Sequence, residues 1–294
     1  MREIVLGSND SGKKLENYLK KAFPIGYVRK LFRKNGIRLN GQRAKPQDAL
    51  RAGDKIQLYI PFEKDAPRNQ PNAPTQKLAI VFEDPNLLVI DKPAGMAVHE
   101  GRTVSKRESV LGILEQQYRD SQIKPQLVHR LDQYTSGLLL VAKNLRAADE
   151  LEQAFETGAV DKEYCALVVG RLANDQGKID TPLPGRDGNP VRALTRYRVV
   201  KRYSKVTLVR VAIETGRLHQ IRLHFAQLGH PVVMDDQHGD FAFNKAFRRG
   251  YGLKRQFLHA EKLRVTMAGK VCQWQVKLPK DLERTLDLLA EQKL

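Results

Sequence analysis

Residues 61 to 77, PFEKDAPRNQPNAPTQK, restrict the fold more than any other stretch of the chain. Four prolines (Pro61, Pro67, Pro71, Pro74) among polar residues interrupt every helical or strand period there. One hydrophobic core does not continue through such a segment, so a proline-rich linker is expected at 61–77, between a small domain at 1–60 and a larger one at 78–294. A length of 294 residues suits two domains of unequal size.

In the small part, Leu15, Tyr18, Leu19 and Phe23, then Val28, Leu31 and Phe32, recur at helical spacing and predict helices over 13–24 and 27–35. Ile37-Arg38-Leu39 runs into the turn pair Asn40-Gly41, and Ile56, Leu58 and Ile60 alternate, which predicts strands after the helices. Residues 1 to 60 hold fourteen Lys/Arg against five Asp/Glu. Arg29, Lys30, Arg33, Lys34 and Arg38 crowd the second helix and the chain after it, a face that could grip phosphates. The whole chain carries a formal net charge of +18, which points to a polyanionic partner; the plainer reading is a basic surface kept for solubility.

The larger part is built of short apolar runs: LAIVF (78–82), LLVID (87–91), GLLLVAK (137–143), EYCALVVG (163–170), VTLVRVAI (206–213) and VCQWQVKL (271–278). Helices are predicted only at 108–117, 146–157, 218–228 and 281–291. That irregular mixture favours a sheet-rich α+β fold over regular β-α-β winding.

Several function classes lose support at this level. The longest apolar stretch, Leu138 to Ala142, falls far short of a membrane span, and MREIVLGSND lacks the apolar core of a secretory signal. Two distant cysteines, Cys165 and Cys272, suggest neither a disulfide framework nor a zinc site, and a reducing cytoplasm is expected. GSNDSGKK (7–14) is one position short of a phosphate loop and has Lys14 where a magnesium-binding hydroxyl belongs. His219, His224, His230 and His238 lack the spacing of a helical zinc pair, so no metal is expected. Thr135 and Ser136 lack the glycine-flanked elbow of a serine hydrolase.

The passage LVHRLDQYTSGLLLVAKN (127–144) gathers His129, Arg130 and Asp132 where a loop meets a buried strand, the kind of rigid support a catalytic group needs. Spacing alone equally allows an ordinary surface Arg–Asp pair. HRLDQYTSG, however, resembles the central motif of the pseudouridine synthases that modify ribosomal and transfer RNA. EDPNLLVIDKPAGMAVH (83–99), DKEYCALVVG (161–170) and ETGRLHQIRLHFAQLGHPVVMDDQHGD (214–240) resemble the same family in the same order, followed by QFLHAEKL (256–263). VRKLFRKNGIRLNG and ALRAGDKIQLYI resemble the small alpha-L RNA-binding domain.

The resemblance implies an α+β catalytic domain with a mixed, largely antiparallel sheet, preceded by a helix-helix-strand RNA-binding domain. It implies isomerisation of uridine to pseudouridine without a cofactor; a monomeric, cytoplasmic enzyme is expected. The likeness is strongest to members acting on the large ribosomal subunit, which implies 23S ribosomal RNA or a large-subunit precursor particle as partner. Transfer RNA, or a non-catalytic role in ribosome assembly, are the alternatives. Position by position, Asp132 matches the family's essential carboxylate, Arg222 the basic residue that pairs with it, and Tyr164 the tyrosine that stacks on the target base and could remove its C5 proton. Arg130 matches a residue that fills the gap left by a flipped nucleotide, and Ile221 and Leu258 match apolar walls of the uracil pocket. The departure in MDDQHGD (234–240), with paired aspartates and no tyrosine near His238, is expected to bear on substrate choice more than on chemistry.

Overall fold

The computed structural model describes residues 2–7, 10–23, 28, 31–32, 36–58, 78–101, 104–185, 187–267 and 269–291. The chain divides into two compact units, Met1–Pro74 and Thr75–Leu294. The proline-rich stretch at 61–77 and the basic residues Arg29, Lys30, Arg33 and Lys34 lie outside the described residues.

In the first unit, β1 (Arg2–Val5), α1 (Leu15–Ala22), β2 (Ile37–Leu39), β3 (Gln42–Arg43) and β4 (Lys55–Leu58) form a small sheet in the order β1-β4-β2-β3. Leu15, Leu19 and Phe23 bury the apolar stripe of α1 against Ile37, Ile56 and Leu58, with Val28 and Leu31 in the same cluster. Asn40 and Gly41 both adopt positive φ, as a two-residue hairpin turn between β2 and β3 requires. Arg38 is exposed on β2.

The second unit contains β5 (Ala79–Glu83), β6 (Leu87–Lys92), α2 (Val110–Gln117), β7 (Gln126–Leu127), β8 (Ser136–Ala142), α3 (Leu145–Glu156) and β9 (Val160–Val169). After these come β10 (Gln176–Ile179), β11 (Leu183–Pro184), β12 (Pro190–Val191), β13 (Thr195–Arg202), β14 (Val206–Ile213) and α4 (Gln220–Gln227). The chain then forms α5 (Phe241–Tyr251), β15 (Leu258–Met267), β16 (Lys270–Gln275) and α6 (Lys280–Glu291). The main sheet runs β10-β13-β14-β9-β15-β8-β6-β5, with β16 on β15 and β7 on β8. Its β8–β15 pairing is parallel and its other pairings are antiparallel, so the fold is α+β with a mixed, largely antiparallel sheet.

Strand β8 reads as a continuous apolar run because both of its faces are covered. Leu139 and Val141 join one core cluster, while Leu138, Leu140 and Ala142 join a second with Ala147, Leu151 and Ala154 of α3. Each fully buried leucine contributes about 2 kcal/mol by removal from water. At the start of β8, Gly137 has φ 111°, and a Cβ there would sit 2.2 Å from the Ala260 carbonyl oxygen. Only glycine lets β15 approach β8 at this point.

Helix α5 is not among the helices expected from the sequence, although its signals are present. Asp240 caps it by accepting the Phe243 N–H at 2.9 Å, Gly252 ends it in the left-handed conformation, and Phe243, Phe247 and Tyr251 recur at i+4. Strand β13 was also absent from the expected runs, because Arg196, Arg198 and Lys201 dilute the apolar content of TRYRVVKR. Thr195 and Tyr197 nevertheless alternate inward.

Candidate active site

The loop before β8 is fixed from several sides. His129 sits against Phe155 with ring centroids 5.0 Å apart, and the Leu140 N–H donates to its Nε2 at 2.8 Å. Burial pulls the pKa of His129 down to about 3, so the ring stays neutral and serves as an acceptor. Lys92, fully buried at the end of β6, donates from Nζ to the carbonyls of Pro93, Met96 and Gln133 at 2.9, 2.8 and 3.1 Å. Its pKa is lowered to about 7 by burial, with the Asp132 charge acting in the opposite direction. Three carbonyl acceptors call for three N–H donors, which only the ammonium form supplies. Gln256 Nε2 donates to Thr135 Oγ1 at 2.7 Å, and Leu131 is buried in the main core. Between these anchors stands Asp132.

Helix α4 brings Arg222 to it. Gln220 starts the helix and uses its whole amide: Oε1 accepts from Thr215 Oγ1 and the Arg217 N–H, and Nε2 donates to the Leu194 carbonyl and Thr195 Oγ1. His224, one turn on, contacts Thr195 Oγ1 and the Thr181 carbonyl. Phe225 packs on Tyr197 of β13 with centroids 5.6 Å apart. Arg222, with a side chain only 4% exposed, donates from Nη1 to Asp132 Oδ2 at 3.1 Å.

Asp235, completely buried, holds the other edge of that guanidinium. Its two oxygens accept from Arg222 Nε and Nη2, each at 2.7 Å, the forked geometry that arginine offers and lysine does not. Asp235 Oδ1 also accepts the backbone N–H of Gln237 and His238 at 2.9 and 3.0 Å. Burial pushes the Asp235 carboxyl up, but these hydrogen bonds outweigh it and hold the pKa below its ordinary value. Burial likewise opposes the Arg222 charge, and the two aspartates raise its pKa in spite of it. The first aspartate of MDDQHGD thus belongs to the site itself, where it anchors Arg222. Gly239 belongs to the same turn, where a Cβ would lie 2.2 Å from the Asp235 carbonyl oxygen.

His219, just before α4, has φ 53° and ψ 25°, a left-handed conformation that costs a non-glycine residue about 1–2 kcal/mol. It places Nε2 3.8 Å from Asp132 Oδ1 and Nδ1 3.0 Å from His238 Nε2.

Asp132, Arg222, Tyr164, Ile221, Leu258 and Arg130 all line one cleft of about 1240 Å³. Tyr164 lies on β9 beside Ala260 of β15, and is buried with Leu131, Ile213, Ile221 and Leu258 in one apolar cluster. Burial, and secondarily the Asp132 charge, raise the pKa of its phenol, so it is protonated at neutral pH. Arg130 is exposed at the cleft, as are Arg192, Arg196 and Arg217. Sequence reasoning missed Lys92, His219, Gln220 and Asp235. A pairwise signal was lacking, because each acts through a partner on another element. Among the described residues no group of three or more His, Cys, Asp or Glu side chains is placed to hold a metal ion, and no helix is long and apolar enough to cross a membrane.

Residues 86–227 match the family model described as RNA pseudouridylate synthase. The chain is 34% identical over 314 aligned positions to the ribosomal large subunit pseudouridine synthase C of Salmonella typhi, covering 97% of this chain and 96% of that relative. It is 35% identical to the protein of the same name from Vibrio vulnificus, over 87% of this chain and 85% of that one. Among solved structures, human RNA pseudouridylate synthase domain containing 4 superposes with a TM-score of 0.62 at 26% identity, covering 72% of this chain and 93% of the human one.

Proposed function

This chain belongs to the RNA pseudouridylate synthase family, and on that premise we propose that it isomerises particular uridines of 23S ribosomal RNA to pseudouridine, with Asp132 as the reacting carboxylate. The observation that carries the assignment to Asp132 is the Asp235–Arg222–Asp132 series. A buried guanidinium, gripped from behind at two 2.7 Å contacts, presents its remaining nitrogen to one oxygen of a carboxylate lining a large cleft. That arrangement orients a carboxylate before substrate arrives, and orientation is a major part of catalytic power.

The reaction breaks the bond between uracil N1 and the ribose, turns the base, and joins C5 to the same sugar carbon, with loss of the C5 proton. Asp132 opens the sequence either by attacking the anomeric carbon or by taking the proton on the neighbouring ribose carbon; both routes use the same oriented carboxylate. Tyr164 stacks on the uracil. Its protonated phenol favours that role over removal of the C5 proton. Ile221 and Leu258 wall the base pocket, in keeping with their burial beside Tyr164. A paired uridine is unreachable, so the target is flipped out at a cost of a few kcal/mol, about what unstacking one base requires, and the exposed Arg130 fills the gap.

Arg192, Arg196 and Arg217 at the cleft supply phosphate contacts. The first unit adds a second RNA contact through Arg38 and through Arg29, Lys30, Arg33 and Lys34. The enzyme works as a monomer in the cytoplasm, on ribosomal RNA or a large-subunit precursor particle.

The test is tritium release from C5-labelled ribosomal and transfer RNA transcripts and precursor particles, with wild type beside Asp132→Asn. Release from ribosomal RNA that vanishes in the variant is expected. Release from transfer RNA alone would reassign the substrate, and release that survives in Asp132→Asn would remove Asp132 from the chemistry.

A further inference from the structure

Asp132 has two oxygens, and Arg222 accounts for one. The other, Oδ1, faces His219 Nε2 at 3.8 Å, and His219 Nδ1 lies 3.0 Å from His238 Nε2, with the two rings edge-on at 62°. At 3.0 Å one of these ring nitrogens donates and the other accepts. If His219 donated from Nδ1, a neutral ring would turn its Nε2 lone pair toward a carboxylate, which is repulsive. If His238 donates, the His219 proton resides on Nε2 and its N–H dipole points at Oδ1.

We propose that His238 is a positioning residue, which donates from Nε2 to His219 Nδ1 and so fixes the tautomer that directs the His219 Nε2–H at Asp132. This rests on the reading of Asp132 as the reacting carboxylate. His238 is itself held in place: its backbone N–H donates to Asp235 Oδ1 at 3.0 Å, and Asp235 also grips Arg222. Asp235 therefore organises both sides of Asp132, through Arg222 at Oδ2 and through His238 and His219 at Oδ1. The left-handed backbone of His219 is what brings its ring within reach of both partners.

The charged and titratable groups around His219 are Asp132 and Asp235, which favour its cation, and Arg222 and His238, which oppose it. Burial is the largest influence and lowers its pKa, so the neutral ring, for which tautomer matters, dominates at neutral pH. At 3.8 Å the N–H acts on the carboxylate as an oriented dipole, weaker than a direct hydrogen bond.

The experiment compares His238→Leu, which removes the donor, with His238→Gln, whose amide can donate to Nδ1. Tritium release from one ribosomal transcript is followed between about pH 6 and pH 8.5. A full transition-state donor is worth 10²–10³ in kcat, and a dipole at this range should be worth about tenfold. His238→Leu should therefore lower kcat about tenfold at the alkaline end with KM little changed, and His238→Gln should restore most of it.

Long-range 1H–15N spectra of the histidine rings assign the tautomer independently of activity. Nε2–H on His219 in wild type and His238→Gln, with a mixture in His238→Leu, is expected. Equal loss in both variants, a change confined to KM, or Nδ1–H on His219 in wild type would overturn the inference. Absence of tritium release from wild type would instead sink the assigned reaction, while the spectra would still decide the tautomer.

Discussion

Asp235→Asn separates the support of the site from its chemistry. The substitution keeps the size of the side chain and one acceptor oxygen, but removes the charge facing Arg222 inside the protein, where Asp235 is completely buried. Loss of one partner of a buried ion pair costs about 3–5 kcal/mol. The lower figure applies, because Arg222 retains Asp132 at 3.1 Å and the asparagine still accepts one hydrogen bond. At an m-value of about 3 kcal/mol per molar, suited to a unit of this size, about 3 kcal/mol moves the urea midpoint of the larger unit down by about 1 M. Arg222 would also lose its two-point grip, and misplacement by about 1 Å of a group that orients the carboxylate proposed to react costs on the order of 100-fold in kcat/KM. Urea unfolding monitored at Trp274, with tritium release on the same preparations, measures both effects. Asp236→Asn is the matched control: Asp236 is 62% exposed and 3.5 Å from the same guanidinium, so its loss should stay within about 0.5 kcal/mol. A midpoint for Asp235→Asn equal to that of Asp236→Asn, with unchanged kcat/KM, would refute the claim that Asp235 organises the site.

Gly137→Ala should destabilise the larger unit by about 3 kcal/mol, because the new methyl group overlaps the Ala260 backbone and φ is positive; an unchanged melting temperature would contradict the close approach of β8 and β15. His129 has a folded pKa of about 3, below its ordinary 6.5, so the unfolded chain binds more protons between those values. Its contribution to stability is fully present above pH 6.5 and is lost as pH falls toward 3, at up to about 1.4 kcal/mol per pH unit. Denaturant midpoints measured from pH 7 to 4 should therefore fall less steeply in His129→Gln; parallel slopes would show that the ring titrates normally. Removing residues 1–74 should raise KM for ribosomal RNA about tenfold and leave kcat within about twofold, since a tethered second contact acts through effective concentration. An unchanged KM would show that the first unit does not contribute to binding.

The sequence alone went far wherever a feature is local. Short apolar runs mark Val206–Ile213 and β8, the latter with both faces covered. The HRLDQYTSG and HQIR passages single out Asp132 and Arg222 because each of these proposed site residues lies inside its own recognisable segment. Composition and the ordered passages also pointed to RNA and to an α+β fold.

Tertiary structure decided which groups face one another. Asp132 and Arg222 are 90 positions apart and meet only because β13 positions α4 over the loop before β8. Asp235 read as one half of a substrate-related pair of aspartates until the turn after α4 placed its carboxylate behind Arg222. Lys92 carried no sign that it would be buried, since a lysine at a strand end is ordinarily solvated; the carbonyl of Gln133, 41 positions away, helps to make that burial tolerable. The pairing of His219 with His238, and the direction of the proton between them, likewise depends on a left-handed residue and on the turn around Asp235. Periodicity reports which face of an element is apolar. It does not specify the partner of a polar group, because hydrogen bonds and ion pairs depend on distances of a few tenths of an ångström between segments that the sheet topology alone brings together.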